Sequence, residues 1–240
     1  MSVDEQEFLA TMSGYFKPRH NWREATGVGV TVAVIDSGIE TDHPDIAGKT
    51  IESVEARVGG NRGVFDPSED GGRASIKVLG AGGLGVGQGF LAGLEYAIKK
   101  KYKVINLSLG TTKPQFFAPL HDMLDRAYQA GCIVVAAANN LPQPSFPSVF
   151  SSSLISVIKS EATDPLKFGF HYGEVIELTA PGVNVRTAWL DKGHRNLTGN
   201  SFACPHITGI VARFVEGYPN LTPFQVKSAL YAIARENTPE

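Results

Sequence analysis

The sequence predicts a three-layer αβα fold with a mostly parallel central sheet, on three observations. Short apolar, β-branched runs alternate with segments whose apolar residues follow helical spacing. Several of those runs are apolar without interruption, as strands covered on both faces require. Glycine and other turn residues punctuate the junctions between them. Such strand–helix–strand repetition implies right-handed crossovers, helices on both faces of the sheet, and ligand sites at the carboxyl ends of the strands.

The first strand covers 30–35, Val30-Thr31-Val32-Ala33-Val34-Ile35, and ends in Asp36-Ser37-Gly38. A polar, glycine-rich stretch, 58–72, separates it from a second strand over 74–79, which runs into Gly80-Ala81-Gly82-Gly83-Leu84-Gly85. Phe90, Leu91, Leu94, Ala97 and Ile98 then lie at helical spacing. A strand over 104–107, a helix bearing Phe117, Leu120, Leu124, Ala127 and Tyr128, and a strand over 132–138 continue the alternation. Later strands are expected at 154–158 and 175–178. Of two closing helices, one begins near Ser201 with Pro205 in its first turn. The other starts from Thr222 as N-cap, with Pro223 at the first position and Gln225 completing a capping box. Residues 1–21 read as an N-terminal extension and 22–240 as one domain.

Composition narrows the function. The chain has 240 residues, 42% of them hydrophobic, and a net charge of −2, enough for one substantial core. With 22 basic against 24 acidic residues and no long run of either sign, nothing points to nucleic acid. Lys99-Lys100-Lys101 reads as a solvated helix end. The start of the chain is acidic and lacks the pattern of a secretory signal, and no stretch is long enough to span a membrane. Two cysteines make no disulfide framework, so a reducing, cytoplasmic setting is expected.

Three segments at strand ends or helix starts suit acyl transfer. Asp36 at a strand end can orient and stabilise a catalytic imidazolium, or simply cap a loop. Ser201, within Gly199-Asn200-Ser201-Phe202-Ala203-Cys204-Pro205-His206, sits where a helix N-terminus favours anionic charge, though a serine there also serves as an ordinary N-cap. Asn139 and Asn140 follow an apolar strand and can donate to a developing oxyanion, or act as turn residues. A competing pattern, Gly80 to Gly85, satisfies the dinucleotide-binding spacing. The acidic residue that should end the next strand is missing, since that strand leads into Ser108-Leu109-Gly110.

Taken together, Val34-Ile35-Asp36-Ser37-Gly38-Ile39 with His43-Pro44-Asp45-Ile46 resembles the aspartate segment of the subtilisin-like serine proteases, the subtilases. Gly199 to Gly209 resembles their serine segment, while Lys77-Val78-Leu79-Gly80 and Ile105 to Gly110 resemble the intervening strands. The resemblance runs from about Trp22 to the last helix. It implies a subtilisin-like fold and a serine endopeptidase that cuts peptide bonds through an acyl-enzyme on Ser201. Asp36 would be the acid and Asn140 the oxyanion donor, or Asn139 if the register shifts by one. Gly83, Leu84 and Gly85 together with Ser108, Leu109 and Gly110 would pair with an extended peptide.

The histidine motif of the family is missing. Asp70-Gly71 resembles the dipeptide before that histidine, and Ala74-Ser75-Ile76 the strand after the helix it opens, so about twenty residues are absent near 71–74. Loss of a central helix is expected to leave an apolar void or to force collapse. A partner chain that supplies the missing helix is one way to fill it. Of the six histidines, His206 lies five residues after Ser201 on another helix face, and His20, His43, His121 and His171 have structural or exposed readings. His194, seven residues before Ser201, is the weak candidate for a base. The resemblance also implies Asp45 as a calcium ligand, although the loop bearing most of the other ligands is within the missing block. The chain therefore reads as a crippled endopeptidase or as a pseudoprotease that binds extended peptides without a cofactor.

Overall fold

The computed structural model describes residues 22–47, 52–59, 62–67, 74–78, 87–173, 175 and 177–236. Its strands are β1 (Val32–Asp36), β2 (Glu52–Gly59), β3 (Arg62–Pro67), β4 (Ala74–Lys77), β5 (Val104–Leu107), β6 (Ile133–Ala137), β7 (Ile155–Ser160), β8 (Gly169–His171), β9 (Glu177–Pro181), β10 (Val185–Trp189) and β11 (Gly193–Leu197). The α-helices are α1 (Gly87–Lys99), α2 (Phe117–Gln129), α3 (Asn200–Gly217) and α4 (Pro223–Glu236).

Nine strands form one sheet in the order β3-β2-β4-β1-β5-β6-β7-β9-β8, parallel from β2 to β9 with an antiparallel strand at each edge. β10 and β11 form a separate hairpin. Along β6 the side chains alternate between two cores. Val134 and Ala136 pack with α1 and α2, and Ile133, Val135 and Ala137 with α3 and α4. This is the three-layer arrangement the sequence predicts, and it explains why the inner strands read as unbroken apolar runs.

Departures from expectation fall at the edges. The stretch 58–72 is not a plain connection, because β2 and β3 form a hairpin there, paired from Val54 with Pro67 to Gly59 with Arg62. Its signal was the alternation of Val54, Ala56 and Val58, which the surrounding glycines and charges obscure. β8, β10 and β11 also lie outside the predicted strands. The strand expected at 175–178 is β9, which runs from Glu177 to Pro181. The first helical residue of α3 is Asn200, which moves Pro205 from the first turn into the second. With no N–H at Pro205, the Ser201 carbonyl has no i+4 donor inside the helix.

The capping box on α4 is present: Gln225 N donates to Thr222 Oγ1 (3.3 Å) and Thr222 N to Gln225 Oε1 (2.9 Å). At the opposite end of α3, the Glu216 carboxylate accepts the backbone N–H groups of Thr26, Gly27 and Val28. Gly27 takes the left-handed φ of +84° that lets three successive amides converge on one oxygen.

Lys227 on α4 provides a pH prediction. Burial lowers its ammonium to about 8. Between about pH 8 and 10.5 the unfolded chain holds a proton that the native state has lost, so stability rises with pH across that window. Lys227→Met is expected to stabilise by about 1–2 kcal/mol at pH 7, an amount discounted for the partial exposure of the side chain. The gain should vanish above about pH 10.5, where Lys227 is neutral in both states. Urea titrations of both proteins at pH 7 and 10.5 check it.

Candidate active site

Parallel strands bring their carboxyl ends to one edge of the sheet, and this edge gathers the predicted residues. Asp36 is the last residue of β1, Ser108 follows β5, and Asn139 and Asn140 follow β6. The N-terminus of α3 reaches the same edge. Cys204, one turn beyond Ser201, lies with Sγ 3.5 Å from Val135 O and 3.8 Å from Leu107 O. Burial pushes its thiol up to about 12, so it is no competing nucleophile.

Two asparagines fix α3 in place. Asn200, 4% exposed, donates through Nδ2 to Ala138 O (3.1 Å) and Asn139 O (2.9 Å) and accepts Lys159 N–H at Oδ1 (3.0 Å). Asn106 on β5, 1% exposed, accepts from Thr208 Oγ1 (2.8 Å) and the Cys204 thiol (3.3 Å) and donates to Ser108 Oγ (2.9 Å). Neither role was assigned from the sequence. The available signal was an amide in an otherwise apolar strand and another at a helix start.

Ser201 is not the N-cap of α3. The cap is Gly199, which makes no side-chain capping bond, and Ser201 is the second helical residue. A Cβ on Gly199 would lie 3.3 Å from Ser201 Oγ, 3.4 Å from Asn140 Oδ1 and 3.5 Å from Asn140 Nδ2. Serine and amide therefore face the same small space, which a side chain at 199 would fill. The two asparagines after β6 are now distinguished. Asn139 spends its amide within its own turn, on Gln143 O (3.1 Å) and Leu141 N (3.1 Å). Asn140 accepts Asn200 N–H at Oδ1 (2.8 Å), which leaves its NH2 group to face the space beside Ser201. Both line a cavity of about 340 Å³ together with Ser108, Leu109, Gly110 and Ser201. Gly83, Leu84 and Gly85 lie outside the described residues.

Asp36 is partly buried, with Oδ1 accepting Ser37 N–H at 2.6 Å. Desolvation pushes its carboxyl above the ordinary value, against the pull of the Ser37 hydrogen bonds. Three of the described histidines are hydrogen-bonded elsewhere. His206 Nδ1 bonds Phe202 O within its own helix (3.0 Å). His121 packs against Phe117 and Phe150, and His171 is exposed on β8. His43, 1% exposed, accepts Asp45 N–H at Nδ1 (3.1 Å), so its Nε2 carries the proton and donates to Gly193 O (2.8 Å). His194 on β11 places Nε2 2.8 Å from Asp45 Oδ2. His20 lies outside the described residues.

The His194 contact also bears on calcium. It holds the Asp45 carboxyl below its ordinary value. The ligand atoms grouped with Asp45 are imidazole nitrogens of His43 and His194, whereas calcium takes about six to eight oxygens. Among the described His, Cys, Asp and Glu residues, the set around Asp45 does not fit calcium. These residues instead lash the β10–β11 hairpin to the loop after Asp36, assisted by Lys192 on Asp42 (2.9 Å).

Residues 66–239 match the family model described as the subtilase family. The chain is 30% identical over 233 residues to M-protease of Shouchella clausii, covering 88% of this chain and 60% of that protein. Over the same length it is 30% identical to subtilisin BL of Lederbergia lenta, covering 85% of it. Thermitase of Thermoactinomyces vulgaris is 28% identical over 214 residues, 79% of this chain and 76% of thermitase. A crystal structure of a cold-adapted subtilisin-like serine proteinase shares the fold, with a TM-score of 0.67 at 23% identity, over 85% of this chain and 82% of that one. Among the described residues no helix is long and apolar enough to cross a membrane.

Proposed function

Because the chain belongs to the subtilase family, we propose that it carries a subtilisin-like endopeptidase site that has lost its general base. In this reading Ser201 Oγ is the nucleophile for a peptide carbonyl and Asn140 Nδ2 donates to the oxyanion that develops. Asp36 is the carboxylate left without an imidazole to orient. Ser108, Leu109 and Gly110, past the last paired residue of β5, offer backbone to an extended peptide beside the 340 Å³ cavity.

The observation that carries the reading is the set of partners the described histidines have. Among the described residues, His43, His194 and His206 are hydrogen-bonded to Gly193 O, Asp45 and Phe202 O, so none of these three imidazoles is engaged with Ser201. Reaction with a fluorophosphonate probe tests this. Labelling of folded protein is expected to be no faster than for Ser201→Ala. Rapid labelling mapped to Ser201 would show that a base is at hand.

A pseudoprotease that holds peptides without cutting them is the second reading, favoured by a cavity and strand edge that need no base. Its affinity for an extended peptide, measured by calorimetry, should be unchanged in Ser201→Ala and fall in Gly110→Val. A Cβ at Gly110 already approaches Phe146 O to 3.0 Å, and valine adds two methyl groups at the cavity wall.

A further inference from the structure

Three side chains of the kind that bind metals converge between the loop after β1 and the β10–β11 hairpin. His43, Asp45 and His194 each offer one ligand atom, and these atoms lie within 4.8 Å of one another. The first two share a turn that the backbone holds closed, with Ile46 N (2.9 Å) and Ala47 N (2.7 Å) both donating to His43 O and Pro44 fixing the φ between them. The third arrives from β11, 149 positions later, and sets Nε2 2.8 Å from Asp45 Oδ2. His43 is already oriented as a ligand. It is 1% exposed and its Nε2–H is spent on Gly193 O (2.8 Å), which leaves the lone pair on Nδ1, where the Asp45 N–H stands at 3.1 Å. A backbone carbonyl that holds the far N–H of an imidazole is the usual device for fixing the tautomer and the ring of a metal-bound histidine. Charge agrees: among the described residues Glu40, Asp42 and Asp45 face Lys192 and Arg186, three carboxylates against two cations.

We propose that His43 Nδ1, the Asp45 carboxylate and His194 Nε2 bind one divalent transition-metal ion of the zinc class, with water in the fourth position. Two imidazoles and one carboxylate suit such an ion, whereas calcium asks for oxygens. Ligands about 2.0–2.1 Å from a tetrahedral zinc stand about 3.4 Å from one another. His194 Nε2 and Asp45 Oδ2, now 2.8 Å apart, therefore separate slightly, and the wider pairs close from within 4.8 Å. The Asp45 and His194 side chains, 50% and 26% exposed, have room to turn and give the ion its way in. The hydrogen between them leaves His194 Nε2, and the ion takes its place. Bound there, the ion staples the loop that follows Asp36 to the hairpin that leads into α3 and Ser201. The inference does not depend on any catalytic reading.

Calorimetric titration of the full chain, stripped with a chelator and dialysed, tests it with zinc chloride alone. One equivalent should bind with a Kd of about 10 µM or tighter. Loss of a partner that merely orients a ligand costs about 10–100-fold in metal affinity, so His194→Ala, which removes a ligand, should weaken binding by at least about a hundredfold. Calcium chloride in place of zinc should give no saturable binding. A second measurement on the unaltered chain needs no variant: one equivalent of zinc should shift the imidazole NMR resonances of His43 and His194 and leave those of His121, His171 and His206 in place. Absence of zinc binding, an affinity unchanged in His194→Ala, shifts confined to other histidines, or displacement of zinc by calcium would each overturn the proposal.

Discussion

Asn200→Ala is expected to lose about 3–4 kcal/mol of stability, read as a lower urea midpoint with an unchanged slope. The substitution strips three hydrogen bonds from a side chain that is 4% exposed, leaving Ala138 O, Asn139 O and Lys159 N–H without their partner. Each buried polar group so orphaned costs about 1–3 kcal/mol, and a domain of this kind has about 5–15 kcal/mol to lose. Asn200→Asp separates donor from acceptor. Aspartate can still accept from Lys159 N, but it sets a carboxylate against two carbonyl oxygens, so it should be at least as destabilising as alanine. A well-tolerated aspartate would mean that Ala138 O and Asn139 O do not depend on the Asn200 amide. The backbone N–H of Asn200 survives both changes and keeps its bond to Asn140 Oδ1, so the asparagine beside Ser201 should hold its place in whatever fraction remains folded.

The role of Asn200 was not legible in the sequence, and the reason applies to the site as a whole. What local pattern encodes was readable. The inner strands are unbroken apolar runs because α1 and α2 cover one face of the sheet while α3 and α4 cover most of the other, and the capping box of α4 sits within four residues. The β2–β3 hairpin was missed because an edge needs no second apolar face, so charges and glycines were free to interrupt its alternation. Contacts between distant segments carry no local signal at all. His194 pairs with Asp45 across 149 positions, and nothing near either residue announces it. Asn139 and Asn140 are the same residue type in the same turn. Only their partners, Gln143 and Leu141 for one and Asn200 for the other, tell them apart.

The proposed loss of the base sets how the residual rate should respond to mutation. Removing the histidine alone from a subtilisin triad costs about a million-fold in turnover, close to what removing all three members costs, because the three act as one unit. In barrier height this is about 8 kcal/mol. What persists comes from the oxyanion donors and the binding cleft, which on the proposed reading are Asn140 and the cavity beside Ser108 to Gly110. On the proposed reading, the chain without its base has lost most of what Ser201 can contribute. Ser201→Ala is expected to change residual peptide hydrolysis by less than about tenfold, whereas in an intact triad the same change costs about a million-fold. Single-turnover hydrolysis of an activated peptide ester, followed for both proteins at equal concentration, distinguishes the cases. A drop of a thousandfold or more in Ser201→Ala would mean that some group takes the serine proton, and repeating the comparison in His194→Ala would show whether that group is the imidazole now resting on Asp45.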